Sequence, residues 1–272
     1  VVAKSVKRSV QDTPVVMIGA GKLATNLCKA LYRKGFRIVQ VYSRTAEAAS
    51  ALAAVVEADY TTSFESITPD AKLYIVALTD SALIDNIDAI CRDKRPEALL
   101  VHTAGSVPMS VWEGHTSNYG VIYPMQTFNK EREVNFSEIS FFIEASSVES
   151  AELLKRIAHT LSDKIYEVDS EKRKMIHLSA VFACNFTNHM YALADKILQR
   201  CDLPFDILLS LVDETARKVH ELAPAKAQTG PALRFDRSIM ERHEAMLADD
   251  TDMQTVYRML SESIHKLASE DK

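Results

Sequence analysis

From Pro14 onward, apolar positions alternate between short continuous runs and longer segments with helical spacing. Val15-Val16-Met17-Ile18 is an apolar run closed by Gly19, the pattern of a parallel strand buried on both faces. Leu23, Leu27, Ala30 and Leu31 then recur at spacings of four, three and one, and Gly35 tolerates the left-handed backbone of a helix stop, so a helix is predicted between them. A second strand is predicted at Ile38 to Tyr42, a helix at about Ala46 to Val56, a strand at Leu73 to Leu78, a helix around Ser81 to Cys91 and a strand at Ala98 to His102. Shorter strand candidates at Val121-Ile122, Ser140 to Ile143 and Lys164 to Val168 surround a helix at about Ser150 to Leu161 and extend the sheet. After Asp169 the strand signals stop. Glu171 to Arg200, Pro204 to Leu222, Asp236 to Leu247 and Met253 to Ala268 all have helical spacing. The pattern predicts a doubly wound, mainly parallel α/β domain over residues 14–168 and an all-α domain over residues 169–272. Residues 1–13, with Lys4, Lys7 and Arg8, read as a solvated tail.

Composition narrows the partners. A chain of 272 residues with 47% hydrophobic positions can bury large cores, which excludes extensive disorder. Its net charge of −5 offers no global positive field for a nucleic-acid backbone or an anionic membrane surface. No apolar run approaches the ~18–20 residues of a spanning helix, and the first residues lack the apolar centre of a signal peptide, so a soluble, cytoplasmic protein is expected. Cys28, Cys91, Cys184 and Cys201 form no Cys-x-x-Cys pair; neither a disulfide framework nor a metal site is indicated, and buried thiols are expected.

The most specific local signal is Gly19-Ala20-Gly21-Lys22-Leu23-Ala24, a Gly-x-Gly-x-x-Ala turn between the first strand and the first helix. Gly19 permits the tight turn, Gly21 lets backbone approach a pyrophosphate, and Ala24 is small enough for close helix–sheet packing. The helix start at Lys22 and Leu23 adds free N–H donors and the positive end of the helix dipole. These features point to a Rossmann-like dinucleotide site. At the end of the second strand, where an Asp or Glu would hold the ribose 2′-hydroxyl of NAD, the chain has Ser43-Arg44-Thr45. A guanidinium with two flanking hydroxyls suits a 2′-phosphate, so NADP is the expected cofactor, the competing reading being a solvated loop arginine.

With the turn, the Ser-Arg-Thr step and the helical second half, the chain resembles the superfamily of pyrroline-5-carboxylate reductase, ketopantoate reductase and 6-phosphogluconate dehydrogenase. More closely it resembles a group of NADP oxidoreductases without a settled substrate, sometimes described as dependent on the deazaflavin coenzyme F420. The stretches that carry this resemblance are His102-Thr103-Ala104-Gly105-Ser106, Tyr123-Pro124-Met125-Gln126-Thr127-Phe128, His177 to Asn185, and Thr229-Gly230-Pro231-Ala232-Leu233-Arg234 followed by His243. The resemblance implies a helical domain of the 6-phosphogluconate dehydrogenase C-terminal type and a homodimer built through it. The β-hydroxyacid dehydrogenase branch places a Lys one helical turn before an Asn, whereas Val181 precedes Asn185 here. That departure favours reduction of an imine, which makes smaller demands on a strong base because the substrate can arrive already protonated.

Residues just past the carboxyl ends of parallel strands lie near the cofactor whatever their type. That rule selects Thr79 and Asp80, with Asp80 as a contact to the nicotinamide ribose or a substrate amine, or as the cap of the helix starting at Ser81. It also selects His102, either a general acid or a satisfied strand-end histidine, and the Gly105-Ser106 turn, either an anion-binding turn or an ordinary loop. On the long helix His177, Asn185 and Asn188 form a polar stripe among apolar neighbours that imply burial; the stripe is a structural network or a substrate-facing surface. His177 and Asn185 are accordingly candidate catalytic contacts. Leu178, Phe182, Phe186, Leu193 and Ile197 read as core or dimer seam. In the loop from Thr229, Arg234 is the candidate for a substrate carboxylate, against a surface pair with Asp236; Thr229 and Ser106 complete the candidate substrate set. The expected activity is hydride transfer between NADP and a small imine or carbonyl in an interdomain cleft. The alternatives are a non-catalytic NADP(H) sensor or scaffold and a structural dimer with a degenerate pocket.

Overall fold

The computed structural model of the chain describes residues 9–270, so Lys4, Lys7 and Arg8 of the expected tail lie outside the described residues. Val10–Asp12 forms a short 3-10 turn, and Val10 packs on the core rather than lying wholly in solvent. The contacts divide the chain into two compact units, residues 1–184 and 185–272.

The first unit is built on eight strands: β1 (Val15–Ile18), β2 (Ile38–Tyr42), β3 (Asp59–Thr61), β4 (Leu73–Val76), β5 (Leu99–His102), β6 (Tyr119–Met125), β7 (Ser140–Ala145) and β8 (Ile165–Glu167). Their order is β3-β2-β1-β4-β5-β6-β7-β8. Every neighbouring pair is parallel except β6 and β7, where the direction reverses. The helices of this unit are α1 (Lys22–Arg33), α2 (Ala46–Val55), α3 (Asp80–Asp85), α4 (Ile87–Cys91), α5 (Val148–His159) and α6 (Ser170–Ala180). Because strand side chains alternate in direction, a continuous apolar run feeds two cores. Val15, Met17, Leu73 and Ile75 join α1, α2 and α5 on one face, while Val16, Ile18, Tyr74 and Val76 join α3, α4 and Trp112 on the other. A third cluster, Val121, Tyr123 and Phe142, lies under Ile176 of α6.

Three elements depart from the predicted pattern. β3 was invisible in the pattern because it is a polar, three-residue edge strand, the form that edges commonly take. The single helix expected from Ser81 to Cys91 is broken at Asn86, whose side-chain amide donates to the Ala82 carbonyl at 2.8 Å. The long helix expected from Glu171 is interrupted by a π-helical turn, Val181–Phe186, before α7 (Thr187–Gln199). The second unit continues through α8 (Leu209–Glu221), the short α9 (Pro224–Ala227) and α10 (Pro231–Arg234), α11 (Arg237–Met246) and α12 (Thr251–Glu270). No helix among the described residues is long and apolar enough to cross a membrane.

Burial removes one of two readings of the apolar stretch and corrects the expectation of buried thiols. Phe182 and Phe186 are 63% and 48% exposed and Leu178 and Ile197 are exposed with them, so the apolar stretch is not core in the single chain. Of the thiols only Cys28 is buried; Cys91 and Cys184 are half-buried and Cys201 is exposed.

Candidate functional site

Parallel strands deliver their chain ends to one edge of the sheet, and the crossovers leave β1 in opposite directions, to β2 on one side and β4 on the other, which opens a crevice there. A cavity of about 390 Å³ occupies it. Its walls are Gly19, Ala20 and Gly21 after β1, Tyr42, Ser43 and Arg44 at the end of β2, and Ala77, Leu78 and Thr79 after β4. Gly19 sits at φ +125°, and a Cβ there would collide with the Ala77 carbonyl, so only glycine closes this turn. Gly21 is the N-cap of α1 and a Cβ on it would enter open space, the room that a close-approaching ligand needs. Ala24 is fully buried against the sheet, Leu23 is half-buried and Lys22 is exposed at the helix start. Arg44 is exposed on the cavity rim between half-buried Ser43 and exposed Thr45, the N-cap of α2. These donors fit a dinucleotide: backbone N–H groups with a helix dipole at one side and a guanidinium at the other.

Beyond the crevice the same sheet edge carries polar groups. Thr79, not Asp80, caps α3, accepting the Ala82 N–H at 3.4 Å. Asp80 instead accepts a hydrogen bond from the Ser106 hydroxyl, which ties the loop after β4 to the turn after β5. Gly105 is buried beneath two rings: a Cβ there would lie 2.7 Å from His177 Nδ1 and 2.9 Å from Tyr123 Cζ. Tyr123 Oη and His177 Nδ1 are hydrogen-bonded at 3.1 Å. Asp80, Ser106 and His177 therefore converge, with Tyr123 as a member that spacing did not single out. The tyrosine opens the Tyr-Pro-Met-Gln-Thr-Phe stretch, and its place two residues before the end of β6 was the available signal.

His102 has a different setting. It is wholly buried, its ring stacks on Trp112 at 6.0 Å, and its Nδ1 accepts the Ala104 N–H at 3.2 Å. Burial, then the nearby Arg173 charge, push its pKa down to about 3, against the opposing pull of a hydrogen bond to the Pro108 backbone. The imidazole is neutral at ordinary pH and packs in the interior against Trp112, outside the cavity lining.

The other candidates lie in the second unit. Asn185 is exposed on the π-helical turn, so counting at 3.6 residues per turn no longer relates it or Asn188 to His177. Thr229 is exposed. Arg234 is exposed at the end of α10 and forms no ion pair with Asp236, which instead caps α11 by accepting the Ile239 N–H at 3.3 Å. His243 is bonded to Tyr257 Oη at 2.9 Å.

Fold and site define the class, a Rossmann-type nucleotide-binding unit followed by a helical unit, and comparison with known proteins extends this. The chain is 64% identical to a Bacteroides fragilis protein named "putative NADP oxidoreductase", over 95% of this chain and 100% of that one, with a TM-score of 0.91. It belongs to the family of that protein. Residues 139–264 match the family described as domain of unknown function (DUF2520), and residues 1–96 match shikimate / quinate 5-dehydrogenase. At the level of fold the chain is similar to a reductive aminase from Aspergillus terreus solved with NADPH and ethyl levulinate (13% identity, 95% of this chain and 98% of that one, TM-score 0.71). It is likewise similar to an imine reductase from Myxococcus stipitatus in complex with NADP+ (16%, 94% and 93%, TM-score 0.63). No curated protein matches the chain.

Proposed function

We propose that the chain is an NADP-dependent oxidoreductase acting on a small imine or carbonyl compound. The observation that carries this reading is the cavity lined by both Gly19-Ala20-Gly21 and Arg44, which combines a pyrophosphate turn with a guanidinium suited to a 2′-phosphate. The family relative named as an NADP oxidoreductase supports the cofactor, and the fold relatives named as an imine reductase and a reductive aminase support the substrate class. When bound, the cofactor supplies or accepts a hydride at nicotinamide C4. The chain's own part is to hold the phosphates on the start of α1, fix Asp80 and Ser106 at the sheet edge, and place His177 where a proton must move. Asn185, Thr229 and Arg234 are proposed as polar contacts to the substrate from the second unit, Arg234 for a carboxylate. His102, wholly buried against Trp112, is assigned a structural role. Two copies of the chain are proposed to pair through the exposed apolar helical faces, and four unpaired cysteines suit a reducing, cytoplasmic setting.

Titration of the purified chain with NADPH, NADP, NADH and NAD, followed by nicotinamide fluorescence and competition, tests the reading. Selective NADP(H) binding is expected, and Arg44→Asp should weaken NADPH by at least about tenfold, or ~1.4 kcal/mol, with little effect on NADH. Unchanged selectivity in that variant removes the cofactor assignment, and no binding to any of the four removes the function.

A further inference from the structure

Two rungs join α6 to the sheet. In the first, Arg173 is wholly buried and paired with Glu144, and it also donates to the Val107 carbonyl at 2.5 Å and to Ser170 Oγ at 3.3 Å. Ser170 Oγ bonds the same carboxylate at 2.8 Å and accepts the Met109 N–H at 2.8 Å, so the ion pair also fixes the loop after β5. The second rung is the Tyr123–His177 hydrogen bond. Glu144 lies opposite Val121 in the antiparallel ladder, two residues before Tyr123. Those two residues advance about 6.8 Å along a strand, and the four from Arg173 to His177 advance about 6 Å along a helix. The spacings match, so the first rung sets the second.

An apolar pin would hold a helix as well as a buried ion pair, and often better. The charge itself is what this arrangement adds. Burial raises the Tyr123 phenol and Arg173 acts in the opposite direction, favouring the phenolate. The charge that acts on Tyr123 is that of Arg173 of α6, itself paired with Glu144 of β7, while Asp80 of α3 is bonded to Ser106 in the turn beneath the pair. The pair rests on Gly105, in the turn that Ser106 ties to the loop after β4.

We propose that Tyr123 is the proton donor of the reaction, that His177 restores its proton, and that Arg173 is the positioning residue that sets the pair and steadies the transient phenolate. This rests on the oxidoreductase reading. As hydride reaches the substrate carbon, the C=N or C=O π electrons pass to nitrogen or oxygen, which takes the proton from Tyr123 Oη. The phenolate then takes the Nδ1 proton of His177 as Nε2 takes one from water, so the ring passes from one neutral tautomer to the other and hydroxide leaves to bulk solvent.

The test uses the full chain in two readouts. Without substrate, the alkaline difference absorbance between wild type and Tyr123→Phe isolates this phenol; its midpoint should rise in Arg173→Met and return toward wild type in Arg173→Lys. An unmoved midpoint overturns the role of Arg173. With NADPH and a panel of small cyclic imines and 2-oxo acids, Tyr123→Phe should lower kcat about a hundredfold while leaving NADPH affinity unchanged, the range of a lost general acid. Unchanged kcat overturns the donor assignment. Should Tyr123→Phe fail to fold, His177→Gln takes its place and must alter the pH profile of kcat; an unaltered profile overturns the relay. NADPH binding with no panel member reduced also overturns the donor assignment, whereas absent NADPH binding overturns the oxidoreductase reading beneath it.

Discussion

The two units of this chain are built on opposite economies of burial. In residues 1–184 the strands β1, β4 and β5 are buried along their whole length, and three apolar clusters cover both faces of the sheet. In residues 185–272 the buried hydrophobics are Ala232, Met240, Leu247 and Met253, while α7 and α8 contribute none. Leu203, Ile207, Leu209, Leu211, Val219 and Leu222 stand exposed there instead. The sheet unit has its core within one chain, and the helical unit presents several exposed apolar side chains, the kind of surface that interaction sites use. A second copy is the proposed cover.

The contrast can be broken or sharpened experimentally. The largest effect is expected inside the sheet unit: Arg173→Met leaves the largely buried Glu144 carboxylate without its cation and should cost about 3–5 kcal/mol in urea unfolding. A loss under about 1 kcal/mol, the range of a surface pair, would mean that the ion pair is not a pin. Next comes Leu211→Asp on α8, 62% exposed. If a second copy covers this face, the variant should raise the dimer dissociation constant about a hundredfold, or ~2.7 kcal/mol, read as a fall in molar mass by light scattering on dilution. An unchanged mass would leave the helical face uncovered by its own kind.

Acid should then act on the sheet unit through His102. This imidazole titrates at about 3 when folded against 6.5 for a histidine in water, so the unfolded chain takes up the proton first. Stability from this group is full above pH 6.5 and declines as pH falls toward 3, by about 1.4 kcal/mol per pH unit in the middle of that window. Melting temperatures of wild type and His102→Asn across it should converge toward low pH; parallel curves would deny the buried neutral histidine. The smallest effect concerns thiols. Burial pushes Cys28 up to about 12, whereas Cys201 is exposed, so a disulfide reagent should label Cys201 quickly and Cys28 after unfolding. Loss of the fast phase in Cys201→Ser checks the assignment.

Local features were legible in the sequence: the β1 run, the Gly19 to Ala24 turn, α1 and Arg44 follow one another within about thirty residues, and short-range pattern suffices for them. What escaped was long-range or non-periodic. Tyr123 meets His177 and Glu144 meets Arg173 across separations of 54 and 29 residues, through strand register that no spacing encodes. Arg173 in particular reads in the sequence as one more cation among Lys172 and Lys174. The exposure of Phe182 and Phe186 escaped for another reason, since hydrophobicity states that a face wants cover without saying whether one chain supplies it.

The π-helical turn at Val181–Phe186 has a consequence for changes in chain length. Each α-helical residue turns the chain by about 100°, so removing one residue from this turn would re-phase every later side chain of α7 about the helix axis while leaving composition almost untouched. A one-residue deletion there is thus a rotation, and substitution scans that preserve length would never sample it.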